Sequence, residues 1–119
     1  RVKEANLADV YIKANAQDAV EIMEKVAEAT NGEMADIVIN TVNIPNTEMS
    51  SILAAKDEGL VYFFSMATSF TKAALGAEGV GKDVTMIIGN GYTKGHAAIA
   101  LNLMRESETL RKIFTELYA

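Results

Sequence analysis

The sequence contains no cysteine and no tryptophan, and it has one proline and one histidine among 119 residues. Without cysteine the chain has no disulfide framework and no thiolate ligand for a metal. A single histidine leaves too few imidazoles for a zinc site within the chain, so we predict that no metal is bound. A composition without cysteine is typical of a reducing, cytoplasmic setting.

Basic residues are also scarce, because 11 Lys and Arg stand against 16 Asp and Glu and give a formal net charge of −5. Nucleic acids and anionic membranes are bound by basic surfaces, so this balance argues against both as partners. No apolar run approaches the roughly 18 residues that would span a membrane. Length and a hydrophobic content of 50% suit one globular domain, and we predict a single α/β domain over residues 1–119.

Short apolar runs alternate with segments of helical periodicity along the chain. We expect strands at residues 10–13, 36–43, 60–64 and 84–88, and helices at residues 17–29, 46–56, 70–75 and 96–118. Strands that alternate with helices indicate a parallel sheet with right-handed crossover helices on its faces. The predicted fold is therefore α/β, with a parallel sheet of about four strands in a partial Rossmann-like three-layer domain.

Local signals predict where the helices begin and end. Asn15 is expected to cap the first helix, and Glu21 and Lys25 to form an ion pair on its surface. Gly76 is expected to end the third helix, and Ser107 to divide the last helix into two.

Two glycine-rich segments resemble phosphate-binding loops. Residues 76–83 (GAEGVGKD) have the spacing of a P-loop. However, Asp83 stands where a hydroxyl would ligate magnesium, and the segment precedes a strand instead of following one. We interpret it as a connector. Residues 89–95 (GNGYTKG) follow a strand and open a helix, but no later strand brings an acid for a ribose. We interpret this second loop as a lining of the active-site edge.

Ligands of open parallel sheets bind outside the carboxyl ends of the strands. Polar loops follow the last three predicted strands, and their backbone amides and carbonyls suit a carboxamide such as that of nicotinamide. Asn43, Thr68 and Asn90 are also explained as ordinary turn and cap residues.

His96, the only histidine, is a candidate acid–base group or a plain first-turn helix residue. Met66 is the methionine best placed for a cofactor.

Three segments carry a resemblance to a known family: residues 36–48 (DIVINTVNIPNTE), 59–70 (GLVYFFSMATSF) and, most distinctively, 89–96 (GNGYTKGH). In them the chain resembles the L-erythro-3,5-diaminohexanoate dehydrogenase family of lysine fermentation. More loosely, it resembles the cofactor domain of medium-chain dehydrogenases. The resemblance implies an oxidoreductase that deaminates a small diamino acid, with hydride passing to NAD or NADP and ammonia released.

The resemblance also implies that the chain is the later part of the dinucleotide-binding domain, without the glycine-rich first strand and helix that bind the pyrophosphate. Alone, it would then bind NAD or NADP weakly or not at all and have no activity. The residues that would face the nicotinamide are Thr41, Val42, Asn43, Ser65, Met66, Ala67, Thr68, Gly89, Asn90 and Gly91. No catalytic residue is assigned, and the choice between NAD and NADP stays open.

The alternative is a stand-alone Rossmann-like binding or regulatory module without catalysis. The N-terminus is the discriminating feature, because a short gene product would start with methionine and this chain starts with Arg1. A truncated domain would expose an apolar face in place of the missing strands. That exposure favours a homo-oligomer or a retained N-terminal portion of the same protein.

Overall fold

The computed structural model describes residues 7–64, 67–89 and 94–118. These residues fall into two compact units, one of residues 12–89 and one of residues 7–11 with 94–118. The elements in chain order are α1 (Ala19–Ala29), β1 (Ala35–Asn40), α2 (Glu48–Ala54), β2 (Ala55–Phe63), α3 (Phe70–Val80), β3 (Thr85–Ile88), α4 (His96–Glu106) and α5 (Glu108–Tyr118).

The unit of residues 12–89 contains one parallel sheet of three strands in the order β1-β2-β3. Neighbouring parallel strands need crossover connections, and α2 and α3 provide them. The predicted α/β class and the partial Rossmann-like layout are therefore confirmed for the described residues. The prediction of a single domain over the whole chain stays a prediction.

The prediction of a strand at residues 10–13 is wrong, because this segment has no strand conformation. The segment makes side-chain hydrogen bonds instead. The Lys25 ammonium donates to the Lys13 carbonyl at 2.7 Å, and the Tyr11 hydroxyl accepts from the Ala8 amide at 2.8 Å. A local preference for strand does not form a strand without a neighbour to pair with.

The hydrophobic core lies between one face of the sheet and the helices α2 and α3. Its buried members are Ile52, Ala55, Val61, Phe63, Ala73 and Ala77. Ile52, Val61 and Phe63 are the largest side chains that are fully buried. Burial of these apolar surfaces is the main stabilising contribution to this unit.

The opposite face of the sheet is less covered than its sequence suggests. The strand register places Ile37 and Ile39 of β1 on this face, and their side chains are 60% and 65% exposed. An unbroken apolar run is typical of a strand covered on both faces. In the part of the chain that the structure describes, β1 is covered on one face only.

The start of α1 differs from the prediction, although its surface ion pair is confirmed. Asp18 caps the helix, because its carboxylate accepts from the Glu21 amide at 3.1 Å. Asn15 instead accepts from the Gln17 amide at 3.0 Å, within the preceding turn. The Lys25 ammonium lies 3.0 Å from the Glu21 carboxylate.

The boundary between α2 and β2 is set by tertiary pairing. We predicted a helix to Lys56 and a strand from Leu60, but β2 already begins at Ala55, which pairs with Ala35. The register then shifts, and Gly59 lies against the neighbouring backbone. A Cβ at Gly59 would lie 2.8 Å from the Lys56 carbonyl oxygen. Glycine therefore permits the irregular start of this strand.

Gly76 does not end α3, so the predicted glycine connector is wrong. The helix continues to Val80 and ends at Gly81, which has a left-handed conformation with φ of 64°. Gly76 lies inside the helix where α3 packs on α2. A Cβ at Gly76 would lie 3.2 Å from Met49 Cε and 3.5 Å from Ile52 Cδ1. The glycine permits close packing of the two helices.

The unit of residues 7–11 and 94–118 contains the helices α4 and α5. The prediction that Ser107 divides them is confirmed, because its hydroxyl accepts from the Leu110 amide at 3.2 Å at the start of α5. Among the helices of the described residues, none has the length and apolar character that crossing a membrane requires.

Candidate functional site

The carboxyl ends of all three strands lie side by side at one edge of the sheet. In the register, Asn40 of β1 is opposite Phe63 of β2, and Phe63 is opposite Ile88 of β3. Hydrogen bonds continue just past the strand ends, from the Phe64 amide to the Asn40 carbonyl at 3.0 Å and from the Gly89 amide to the Phe63 carbonyl at 3.1 Å. The loops that follow the three strands therefore start from neighbouring positions.

Asn40 is a buried polar residue that holds the first of these loops. Its side-chain amide donates to the Thr47 hydroxyl at 2.9 Å and to the Ser51 hydroxyl at 2.8 Å. Its side-chain oxygen accepts from the Val42 amide at 3.0 Å. Asn40 is 6% exposed, and this network supplies partners for its side chain. The network ties the end of β1 to α2 and to the loop between them.

The predicted site residues after β1 are all accessible at this edge. Thr41, Val42 and Asn43 are exposed. Val42 also lines a cleft of 230 Å³ between α1, β1 and α2, together with Asn40 and Ser50. This stretch thus has free surface beside a small concave space.

The predicted residues after β2 and β3 are described in part. Ala67 and Thr68 are half-buried just before α3. Gly89 directly follows β3, and a Cβ there would lie 3.3 Å from the Tyr62 hydroxyl oxygen. Phe63 is opposite Ile88 in the register, so Tyr62 and Gly89 both lie near the carboxyl ends of neighbouring strands. The Tyr62 hydroxyl therefore approaches the Gly89 backbone at this edge.

Four predicted site residues, Ser65, Met66, Asn90 and Gly91, lie outside the described residues. His96 is exposed at the first position of α4, in the other unit. Its proposed acid–base role therefore stays a hypothesis. Within the described ranges, no three His, Cys, Asp or Glu residues form a group that could hold a metal ion.

The segment that resembles a P-loop has a structural role. The Lys82 ammonium donates to the carbonyl oxygens of Ile52 at 3.3 Å and Leu53 at 3.2 Å, and also to that of Ala55. These carbonyls belong to the C-terminal end of α2, where a cation is favourable. Partial burial lowers the pKa of Lys82. The lysine is therefore engaged with protein backbone, whereas Gly76 and Gly79, which were predicted to lie in a connector, belong to α3.

Replacing Lys82 with methionine should lower the free energy of unfolding by about 1 kcal/mol at neutral pH, because the carbonyls at the end of α2 lose their hydrogen-bond donor. The pKa of Lys82 in the folded state lies below the ordinary 10.5. Between these two values the unfolded chain holds a proton that the folded chain has lost, so stability should rise with pH. Urea unfolding across this range should show that rise in the wild type and not in K82M.

Lys56 provides the control, because its pKa is raised by the hydrogen bond and the charge of Asp36. The ammonium lies 2.7 Å from that carboxylate. The stabilisation from Lys56 should be lost as pH rises above 10.5 through its raised pKa, so K56M should lack that fall in stability and keep the rise that Lys82 causes below 10.5. The same trend for both variants would contradict the assignment of Lys82.

A second cleft lies where α2 and α3 begin. It has a volume of 380 Å³ and is lined by Asn46, Glu48, Met49, Lys72, Leu75 and Gly76. Glu48 is 3% exposed, and its Oε2 accepts from the Ser69 amide at 3.5 Å. The Lys72 ammonium donates to the Asn46 side-chain oxygen at 2.5 Å. The cleft therefore carries side chains of both charges.

Sequence reasoning missed Asn40, Tyr62 and Glu48 as members of this edge. The burial of Asn40 could have been inferred from the sequence, because it is a polar residue at an inward-facing position at the end of an apolar strand. Nothing in the sequence indicated that Glu48 is buried, because an acidic residue in the first turn of a helix is ordinary. Tyr62 lies within an apolar run, and only the strand register places its hydroxyl beside Gly89.

A parallel sheet with crossover helices, whose loops gather at one carboxyl edge, is the architecture of a partial Rossmann-like domain. Two named relatives are similar to this chain in sequence. The chain is 61% identical over 118 residues to the L-erythro-3,5-diaminohexanoate dehydrogenase of Acetoanaerobium sticklandii. It is 59% identical over 105 residues to the protein of the same name from Fusobacterium nucleatum.

These matches cover 99% and 88% of this chain, but 34% and 30% of the two relatives. The chain thus spans about a third of the length of the curated relatives it matches. No protein-family model matches the chain. The resemblance seen in the sequence is confirmed, and because both relatives are named dehydrogenases, the chain resembles part of an enzyme.

Proposed function

We propose that this chain is part of a cytoplasmic NAD- or NADP-dependent dehydrogenase that oxidatively deaminates 3,5-diaminohexanoate. The observation that carries the proposal is the alignment of three strand ends at one edge of the sheet, which is where open parallel sheets bind their ligands. The names of the two relatives supply the substrate and the reaction class.

The described residues suit the nicotinamide end of such a cofactor. Thr41, Val42 and Asn43 lie at the exposed end of β1, where the Val42 amide is already bonded to Asn40. At the end of β3, Gly89 has no side chain, and the space beside its backbone is bounded by the Tyr62 hydroxyl. The cofactor, when bound, supplies the hydride acceptor. In our proposal these loops, together with Ser65, Met66, Ala67, Thr68, Asn90 and Gly91, orient the nicotinamide beside the substrate.

The pyrophosphate end has no matching site among the described residues. The lysine of the P-loop-like segment, Lys82, is bonded to carbonyls of α2, and Gly81 ends a helix. We therefore propose that the pyrophosphate is bound by parts of the full-length enzyme outside this chain. In this proposal the isolated chain binds dinucleotide weakly, and a homo-oligomer or the N-terminal portion of the enzyme covers its exposed apolar face.

The direct test is a turnover assay on the full-length protein with 3,5-diaminohexanoate and either NAD+ or NADP+, following the formation of NAD(P)H and ammonia. We expect both products in equal amounts with one of the two cofactors. Dinucleotide binding without turnover of any diamino acid would favour a binding or regulatory module and contradict the proposed reaction.

Replacing Gly89 with alanine should raise the KM for the nicotinamide cofactor about tenfold, because a methyl group enters the edge where the ring is proposed to lie. The matched control is Gly79→Ala, since a Cβ at Gly79 meets nothing within 4 Å. That variant should leave the KM unchanged. Steady-state kinetics with varied cofactor checks both expectations.

The variant G89A also meets Tyr62, so this contact has to be separated from contact with the cofactor. Tyr62→Phe removes the hydroxyl that a Cβ at Gly89 would approach to 3.3 Å. If Gly89 lies against the nicotinamide, the raised KM should persist when Y62F is combined with G89A. Recovery of the wild-type KM in the double variant would show that the effect comes from the tyrosine alone, and it would remove Gly89 from the proposed cofactor site.

A further inference from the structure

The buried carboxylate of Glu48 has an unused hydrogen-bonding atom. Its side chain is almost completely enclosed, with 3% of the residue exposed. One oxygen, Oε2, accepts from the Ser69 amide, whereas Oε1 has no hydrogen-bond partner among the described residues. Burial of a carboxylate oxygen without a donor is costly, so such atoms call for an explanation. A ligand that brings a donor to Oε1 would provide one.

A cation lines the same cleft but does not pair with this carboxylate. Lys72 is exposed on α3, and its ammonium donates to the neutral side chain of Asn46. An ammonium group has three N–H donors, so two remain for another partner. In the described part of the chain, no ion pair joins Lys72 to Glu48. The lining of one cleft therefore contains a carboxylate and an ammonium, each with hydrogen-bonding capacity left. Oε1 itself lies below the surface of the cleft, so a ligand reaches it only when the Glu48 side chain turns outward.

The cleft lies close to the carboxyl edge of the sheet. Glu48 is the first residue of α2, which follows the loop after β1, and Ser69 caps α3, which follows the loop after β2. Both loops leave the carboxyl edge at neighbouring positions. A ligand in the cleft would consequently lie next to the loops that carry Thr41, Val42, Asn43, Ala67 and Thr68.

We infer that this cleft binds a zwitterionic amino acid, with Glu48 accepting from an ammonium group of the ligand and Lys72 donating to its carboxylate. The inference rests on the proposed function, because a diamino acid substrate carries both groups. It assigns substrate recognition to two residues of this chain. Met49 and Leu75, which also line the cleft, provide apolar surface for the carbon chain of the ligand.

The experiment is isothermal titration calorimetry on the full-length protein, with and without NAD(P)H. The probes are 3,5-diaminohexanoate, hexanoate, which lacks both amines, and the decarboxylated diamine. Glu48→Gln keeps the shape of the side chain and removes its charge, whereas Lys72→Met removes the ammonium. Each variant should weaken binding of the diamino acid at least about tenfold, as expected for loss of a charged hydrogen bond.

The truncated probes separate the two contacts. E48Q should weaken binding of the diamine and leave hexanoate unaffected, while K72M should do the reverse. Exposed residues provide matched controls, so Glu78→Gln on α3 and Lys112→Met on α5 should change no affinity. Because Lys72 is exposed, K72M tests the site even if E48Q impairs folding, which thermal unfolding would reveal.

The possible outcomes distinguish this inference from the proposed function. If the wild-type protein binds the diamino acid through Glu48 and Lys72 but does not reduce NAD+ or NADP+, the site stands and the proposed reaction is wrong. If the protein turns over the diamino acid and both variants bind it normally, the reaction stands and the site is overturned. If the wild-type protein binds no diamino acid with or without NAD(P)H, the site is also overturned.

Discussion

Replacing Phe63 with alanine should lower the free energy of unfolding by about 3–5 kcal/mol. Phe63 is 0% exposed in the core between β2 and the helices α2 and α3. Its loss removes buried apolar surface and leaves a cavity that the neighbouring Ile52 and Val61 cannot fill. Urea unfolding followed by circular dichroism measures the change.

Phe64 offers a matched control because it is the same residue type at the next position. Its side chain is 44% exposed, and it follows the end of β2. Phe64→Ala should cost about 1 kcal/mol or less, since a partly exposed side chain contributes less burial. Equal losses for the two variants would contradict the assignment of the covered face of the sheet.

Replacing Asn40 with alanine should have the second-largest effect and should also impair function. The change removes three hydrogen bonds, to Thr47, Ser51 and the Val42 amide. At about 1 kcal/mol for each bond, the expected loss of stability is about 3 kcal/mol. The loop after β1 would lose its attachment to α2. The turnover rate of the full-length protein should therefore fall even under conditions where the variant remains folded.

Two further variants separate the parts of this effect. Ser51→Ala removes one acceptor of the Asn40 side-chain amide and keeps the bond from the Val42 amide, so its effect should be smaller than that of N40A. Asn15→Ala is the matched surface control, because Asn15 accepts one bond in an exposed turn, and it should cost about 1 kcal/mol or less. If folded N40A turned over substrate at the wild-type rate, the conclusion that Asn40 positions the loop would be wrong.

Features that depend on near neighbours in the chain were predictable from the sequence. The Glu21–Lys25 pair joins residues on one turn of a helix, and Ser107 caps a helix through an amide three positions later. The alternation of apolar runs with helical segments was enough to predict the parallel sheet, because crossover geometry permits few other arrangements. The family resemblance was also readable, since it rests on contiguous segments.

Helix and strand ends were decided by contacts between distant residues. Ala55 has no strong local preference for strand, but pairing with Ala35 places it in β2. Gly76 would end an isolated helix, yet it remains helical because its missing side chain lets α3 pack on Met49. Pairing and packing outweigh local propensities of about 1 kcal/mol per residue.

By itself, the sequence determined the fold class, the family resemblance and the loops that follow the strands. Only the tertiary structure decided that Asn40 and Glu48 are buried near those loops and that Lys82 caps α2. The physical reason is that burial, hydrogen-bond partners and unpaired atoms depend on which distant segments meet. For Glu48 and Lys82, neither the spacing nor the type of the residue carries that information.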